Sequence, residues 1–390
     1  MKKLTALLLV TVMTLGMLAG CAEKPATQSP SGSPATSPSA GETTPANTPA
    51  NGETIKVALA LAGTLGDKGF NDNAKKGAER AAEEFGIEFK IIEMTNDKTK
   101  FEPTLMDLSE SGEYDLITAA GFSCKETLQK VAPQFPDQKY FLYDANADYD
   151  KGDYSNIYSN TFLQNEASYL GGIVAARMTT SDLPDMNADK NIGCIAMMDM
   201  SVINDFLVGY IEGALSVDPD MKINSAYIGA VDAAKAKDMA SAQFQQKTDI
   251  VFQVAASAGL GVIEAAKEKN GYVIGVDQDQ AMALMESDPA SANRIITSVL
   301  KRVDIAVYRV IKMLVEDPAS IPFGTTEALG MGEDCVGIAK TDVYQTLVDD
   351  ETKALVEEAE KKIASGEIKV GTAFGMDADT LTALRNSVKP

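Results

Sequence analysis

The sequence predicts an α/β fold: two doubly wound parallel-sheet lobes joined by a multi-strand hinge. Three observations support this. From Ile55 onward, short apolar runs alternate with longer amphipathic stretches, the pattern of strands and helices wound into a covered parallel sheet. The short runs, such as 55–61 (IKVALAL) and 249–254 (DIVFQV), are apolar on consecutive residues, as strands buried on both faces are. About 335 residues follow Ile55, more than one hydrophobic core comfortably holds, so the elements are expected to divide between two lobes.

Candidate strands fall at 55–61, 87–92, 115–120, 139–143, 157–160, 191–197, 223–228, 249–254, 272–276 and 294–299. Helical spacing predicts a helix over 72–85, where Ala74, Ala78, Ala81, Ala82 and Phe85 share a face. Further helices are expected at about 124–133, 163–178, 201–215, 235–247, 258–269 and 301–315. The strand at 157–160, followed at once by a long helix, is a candidate crossover between lobes. A second crossover is expected near 297–301 and a third within 325–340. Lobe 1 then comprises 54–160 with about 301–327, and lobe 2 comprises 161–300 with about 328–390. Several crossings make a hinge about which two lobes close.

Residues 1–20 read as a signal peptide. Lys2 and Lys3 precede an apolar run from Leu4 to Leu18 that is too short to span a bilayer. The segment Leu18-Ala19-Gly20-Cys21 resembles a lipobox, in which small residues admit the peptidase and the Cys21 thiol takes the lipid. Each buried CH₂ contributes about 0.8 kcal/mol, so two or three acyl chains hold a protein at a membrane surface. Residues 21–53 are dominated by Pro, Ser, Thr, Ala and Gly. Such a segment cannot bury enough surface to offset its ordering entropy, and it reads as a flexible tether. The mature chain is expected outside the cytoplasm, lipid-anchored to the outer face of the cell membrane.

Composition narrows the function. Cys124, Cys194 and Cys335 are widely spaced and odd in number, which is no disulfide framework, so buried free thiols are expected. The chain contains no histidine, which removes the commonest general base and the usual zinc ligand. No enzyme activity, metal or cofactor is expected. The formal charge of −21 becomes about −23 without Lys2 and Lys3, and a surface so acidic repels nucleic acid and anionic lipid.

In open parallel sheets ligands bind beyond the carboxyl ends of the strands. The residues there are Gly63, Gly66, Asp67, Gly69, Phe70 and Asn71 after the first strand and Asp144 after the fourth. Asp199 and Phe206 follow 191–197, Ala256 and Ser257 follow 249–254, Asp277 follows 272–276 and Lys301 follows 294–299. The three glycines are spaced G-x-x-G-x-x-G rather than G-x-G-x-x-G, and Asp67 would oppose a pyrophosphate. A tight polar loop, with Asn71 or Asp72 capping the next helix, is therefore preferred to a dinucleotide site. Phe70 lies in a loop without apolar periodicity and is either a buried anchor or a stacking surface. Phe206, among Val202, Ile203 and Leu207, is either core or the opposing ring of a clamp. Asp277 ends an apolar strand and must be solvated or bonded, with Lys301 the natural neutralising partner. An ionised carboxylate accepts from two adjacent hydroxyls and suits a vicinal diol; a structural ion pair between lobes is the other reading.

Four segments together resemble a known family: Asp67-Lys68-Gly69-Phe70-Asn71; Asn160 with the helix from Glu166 to Ala175; Gly275-Val276-Asp277-Gln278-Asp279-Gln280; and Thr297-Ser298-Val299-Leu300-Lys301-Arg302-Val303-Asp304. They are similar to the basic membrane protein family of substrate-binding lipoproteins, which includes purine nucleoside receptors of the A type. The resemblance covers Ile55 to Gly375. It implies a type I periplasmic-binding-protein fold that serves an ABC transporter and partners its permease. By the same resemblance Phe70 and Phe206 would stack on a base, Asn71 and Asp144 would read it, Asp277 and Lys301 would hold a ribose, and Asp67 would take the family's leading aspartate position. The chain departs from the family's pattern at Ala256-Ser257, where Gly-Gly is common, and at Gly69, where serine is common.

The expected ligand is a nucleoside, a purine being favoured, bound by Asp67, Phe70, Asn71, Asp144, Phe206, Ala256, Asp277 and Lys301 of a monomer. With three carboxylates facing one cation, an added phosphate would be repelled. The alternatives are riboflavin or another heterocycle or sugar-like ligand, and a lipoprotein that signals ligand to a membrane receptor. A nucleoside-cleaving enzyme is disfavoured without a nucleophile–base pair, and a repressor without a helix-turn-helix.

Overall fold

The computed structural model describes residues 54–187 and 189–390. The signal peptide at 1–20, the lipidated Cys21 and the tether over 21–53 lie outside the described residues. The first half of the chain alternates β1 (Lys56–Leu61), α1 (Phe70–Phe85), β2 (Glu88–Glu93), α2 (Phe101–Ser111), β3 (Leu116–Ala120), α3 (Gly121–Val131), β4 (Tyr140–Tyr143), β5 (Ile157–Phe162) and α4 (Gln164–Met178). It continues with β6 (Asn191–Ala196), α5 (Ser201–Val217), β7 (Lys222–Tyr227), α6 (Ala233–Gln245), β8 (Ile250–Val254), α7 (Gly259–Lys269) and β9 (Tyr272–Asp277). Then come the short helices α8 (Gln280–Met285) and α9 (Pro289–Ala292), β10 (Ile295–Lys301), α10 (Val303–Glu316), β11 (Thr326–Leu329), β12 (Val336–Ile338), α11 (Asp342–Leu347), α12 (Asp350–Ala364) and α13 (Ala378–Ser387).

The strands form two six-stranded sheets, ordered β11-β5-β4-β3-β1-β2 and β12-β10-β9-β8-β6-β7. Every pairing is parallel except β10 with β12. Strands β3, β4, β6, β8 and β9 are buried at every residue, because helices cover both faces and leave no solvated side. The edge strands β2 and β7 are partly exposed. The chain passes between sheets three times, after β5, after β10 and between β11 and β12. Helix α4 packs against α5, α12, β10 and β12, and α10 returns to pack on α1 and β4. The α4–α5 contact is so close that a Cβ on Gly172, Gly209 or Gly213 would overlap a carbonyl oxygen of the other helix. Only glycine permits that approach.

Several helices differ from the sequence reading. Helix α1 begins at Phe70, two residues before the expected start, so Phe70 is a first-turn residue and not a loop residue. Helix α2 and the C-terminal helices α11–α13 were not anticipated. In α2 the apolar Phe101, Leu105 and Leu108 do recur at helical spacing, but Pro103 stands among them, tolerated because it lies in the first turn.

Candidate functional site

Both sheets wind outward in opposite directions from a switch point, between β1 and β3 in the first and between β6 and β8 in the second. At a switch point the loops leaving adjacent strands diverge and open a crevice at the carboxyl ends. The two crevices face one another across a single cavity of about 270 Å³, close to the lower end of small-molecule sites. All eight expected site residues line it: Asp67, Phe70, Asn71, Asp144, Phe206, Ala256, Asp277 and Lys301.

The β1–α1 loop is built on hydrogen bonds to carboxylates. Asp67 Oδ1 accepts from the backbone N–H of Gly69 at 3.0 Å and of Asp72 at 3.2 Å. Its Oδ2 accepts from the N–H of Asn71 at 2.9 Å and from Asn71 Nδ2 at 3.0 Å. Asp72 in turn accepts from the N–H groups of Gly66 and Lys68. The expected capping by Asn71 or Asp72 is therefore corrected. Gly69 occupies the cap position with no side-chain bond, and Asp67, two residues earlier, satisfies the exposed N–H groups of the first turn. Burial raises the Asp67 carboxyl above its ordinary range, and the backbone donors oppose that rise.

At the other end of the site, Lys301 is 4 % exposed. Its ammonium lies 2.8 Å from Asp144 Oδ2 and 3.7 Å from Asp277 Oδ1. The sequence paired Lys301 with Asp277 alone; the structure gives the shorter contact to Asp144, which comes from the opposite sheet. Burial works against the Lys301 charge, and Asp144 with Asp277 overcomes it, so the ammonium titrates above its ordinary range. Asp277 is 6 % exposed. Burial pushes its carboxyl up to about 6, with Lys301 opposing and Asp144 and Asp67 adding to the rise. Among the described residues its carboxylate accepts no hydrogen bond apart from the longer Lys301 contact. Asp144, Asp277 and Ala256 all have left-handed backbones, with φ of 58°, 66° and 47°, a costly conformation for residues with a Cβ.

The Lys301 ammonium lies 4.9 Å from the centroid of Phe70 and 5.3 Å from that of Phe206, so both rings lie against the same cation. Phe70 rests on Tyr143 with centroids 5.6 Å apart. By burial Phe206 is a core residue. It is 1 % exposed and meets Phe252 edge-on at 6.2 Å in the core, yet it also forms part of the cavity wall.

Several lining residues escaped the sequence reading. Phe122 and Ser123 follow β3, and Asn96 and Lys98 follow β2; the strand-end rule that found the others would have found these. Lys98 is exposed at the rim, so the expected ratio of three carboxylates to one cation is corrected to three against two. Met197, Met198 and Met200 line the β6 side. Asp199, although at a strand end, bonds Asn204 and Arg385 instead, and Asp279 caps α8 while accepting from Thr341. The lobes are also bonded directly. Asn73 Nδ2 donates to the carbonyls of Asp277 and Lys301, Gln280 Nε2 donates to Lys68 O at 2.9 Å, and Phe122 stacks on Phe374 at 6.4 Å.

Cys124, Cys194 and Cys335 are buried free thiols. No helix among the described residues is long and apolar enough to cross a membrane.

Residues 54–373 match the family described as PnrA-like ABC transporter substrate-binding proteins. The chain is 31% identical over 263 residues to the ABC transporter nucleoside-binding protein BmpA of Lactococcus lactis subsp. cremoris, covering 63% of this chain and 70% of that one. It is 32% identical over 294 residues to an uncharacterized lipoprotein of Pyrococcus abyssi, covering 73% and 68%. A solute-binding protein of an ABC transporter system from Aeropyrum pernix K1 superposes with a TM-score of 0.72 at 30% identity, covering 86% of this chain and 98% of that one. The fold of two parallel sheets is thus the periplasmic-binding fold, and the chain belongs to the family of PnrA-like ABC transporter substrate-binding proteins.

Proposed function

We propose that this protein is the extracytoplasmic, lipid-anchored subunit that captures a nucleoside, a purine being favoured, and delivers it to its ABC permease as a monomer. The anchor reading rests on Leu18-Ala19-Gly20-Cys21. The observation that carries the ligand reading is the Asp277 carboxylate: buried, poorly partnered, and beside Lys301 between two aromatic rings. A neutral ligand with two adjacent hydroxyls supplies the donors that this carboxylate lacks, and a flat base fits between Phe70 and Phe206. Two or three bonds to charged groups, at about 1.5–3 kcal/mol each, suffice with the ring contacts for submicromolar capture. The Lactococcus relative's name supports the same class.

Calorimetry with inosine, guanosine, adenosine, cytidine, ribose and riboflavin tests the proposal. A nucleoside is expected to bind most tightly; the absence of heat with every nucleoside ends it. A 5′-monophosphate is expected to bind at least about tenfold more weakly than its nucleoside, since three buried carboxylates, Asp67, Asp144 and Asp277, line the cavity with one buried ammonium, that of Lys301. Preference for the monophosphate would overturn the charge argument and bring the rim Lys98 into the site.

A further inference from the structure

We infer that Arg385 of the C-terminal helix α13 is a positioning residue for the ligand cavity: directly, and through Tyr227 and Asn204, it holds Asp199 and with it the loop whose three methionines form one wall. The inference needs only that the cavity takes a small ligand, and it stands apart from which ligand that is. Arg385 lies beyond residues 54–373, the stretch that matches the family.

The wall consists of Met197, Met198 and Met200, between β6 and α5. Thioether side chains are flexible and bond weakly, so they cannot fix the loop that carries them. At Met197 the backbone still pairs, its N–H donating to Val254 O at 2.8 Å and its carbonyl accepting from the Gly229 N–H at 2.8 Å. Beyond it the loop's one polar side chain is Asp199, which does not line the cavity. Asp199 Oδ1 accepts from Asn204 Nδ2 at 2.7 Å, and its Oδ2 accepts from Arg385 at 3.3 Å. Asn204 Oδ1 accepts from the Tyr227 hydroxyl at 2.5 Å, and that hydroxyl oxygen accepts from Arg385 at 2.7 Å.

Only one arrangement of protons fits this circuit. Arginine only donates and an ionised carboxylate only accepts. The Tyr227 oxygen therefore takes its bond from Arg385 and spends its single hydrogen on Asn204 Oδ1, which leaves the amide nitrogen for Asp199. Each bond orients the next. An exposed ion pair by itself contributes little, and Asp199 is 55 % exposed; the leverage of Arg385 is that it sets the direction of the other bonds. Its own place is fixed. Leu381 of α13 packs with Val208 of α5 and with Ala373 in a small apolar cluster, and Val388 O accepts from the Ile223 N–H of the edge strand β7 at 2.7 Å. The guanidinium lies 5.2 Å from the centroid of the Tyr227 ring. Without it the hydroxyl is free to accept from the amide, the amide is free to turn, and Asp199 loses both partners.

NMR of protein labelled at the methionine ε-methyl carbons, with calorimetry against inosine, tests this on wild type, Arg385→Leu and the nearly isosteric Tyr227→Phe. In the free form of both variants the methyl resonances of Met197, Met198 and Met200 are expected to shift or broaden, while those of Met282 and Met285, exposed on α8, stay in place. Inosine affinity should weaken by roughly three- to tenfold in each, the size of one lost hydrogen bond. A merely structural helix would lower the unfolding temperature and leave the three wall methyls unmoved, and that result overturns the inference. Movement of all the methionine methyls alike would show general loosening and overturn it too, as would moved wall methyls with inosine affinity unchanged. If wild type binds no nucleoside, the nucleoside reading falls, while the methyl resonances of the free protein still decide this inference.

Discussion

Asp67 and Asp277 stand at strand ends in different lobes, the first in the loop beyond β1 and the second closing β9; each is buried, and each lines the same cavity. Their environments are opposite. The first turn of α1 comes directly after Asp67 and wraps its N–H groups around the carboxylate. Asp277 sits in a left-handed conformation that ends its strand, and its neighbours supply a single ammonium at 3.7 Å. One buried carboxylate is completed by its own chain and holds a loop in shape. The other is left incomplete, and its missing donors describe a ligand. Burial of charge is thus no guide to function by itself; the count of partners is.

The sharpest way to break this contrast is Asp277→Ala. Ribonucleoside affinity should fall by about a hundredfold or more, the loss of two charge-assisted bonds, with the melting temperature of the free protein unchanged or raised because an under-partnered buried charge has gone. A melting temperature that falls with unchanged affinity would make Asp277 structural. Acidification should act in the same direction. The Asp277 carboxyl titrates at about 6 in the fold, and its ionised form is the one that accepts hydroxyls. Affinity should therefore hold above pH 6 and decline below it, by up to about tenfold per pH unit. Because this folded-state value lies above the ordinary carboxyl value, protonation favours the folded free protein, so the Asp277 contribution to stability rises as pH falls from 7 toward 4. Titrations of the free and liganded protein that moved in parallel would contradict this assignment. Burial is the main cause of that raised value; of the charges facing Asp277, Lys301 lowers it and Asp144 and Asp67 raise it.

Asp67→Ala should show the converse signature, a stability loss of about 1–2 kcal/mol by denaturant unfolding, the size of a lost helix cap. Ala256→Gly removes a Cβ from a left-handed backbone at φ 47° and should stabilise the protein by up to about 1 kcal/mol; destabilisation would show that the methyl group packs usefully. The smallest effect is expected from Phe374→Ala. Its ring stacks on Phe122, a residue of the cavity wall, a contact of about 0.5–1.5 kcal/mol, so ligand release should quicken several-fold in stopped-flow measurements with little change in association.

Much of this was legible in the sequence because it depends on local periodicity. Runs such as LITAA and YVIGVD are apolar without alternation, which only a doubly covered parallel sheet explains. Once the sheet is parallel, the strand ends are the site, and that rule by itself picks out Asp67, Phe70, Asn71, Asp144, Ala256, Asp277 and Lys301. At the ends of β2 and β3 the same rule picks out Lys98 and Phe122, which also line the cavity. It also gathers in Asp199, which lies at a strand end but spends its carboxylate on Asn204 and Arg385.

The charges and strand-end residues, with the fold class they imply, were therefore properties of the sequence itself. What the tertiary structure alone decided was who partners whom. Lys301 reaches Asp144 across 157 positions of chain, and Asn73 reaches the carbonyls of Asp277 and Lys301 across more than 200. No local pattern encodes such distances. A hydrogen bond has a reach of about 3 Å, and only the winding of two sheets toward one gap determines which side chains come within it.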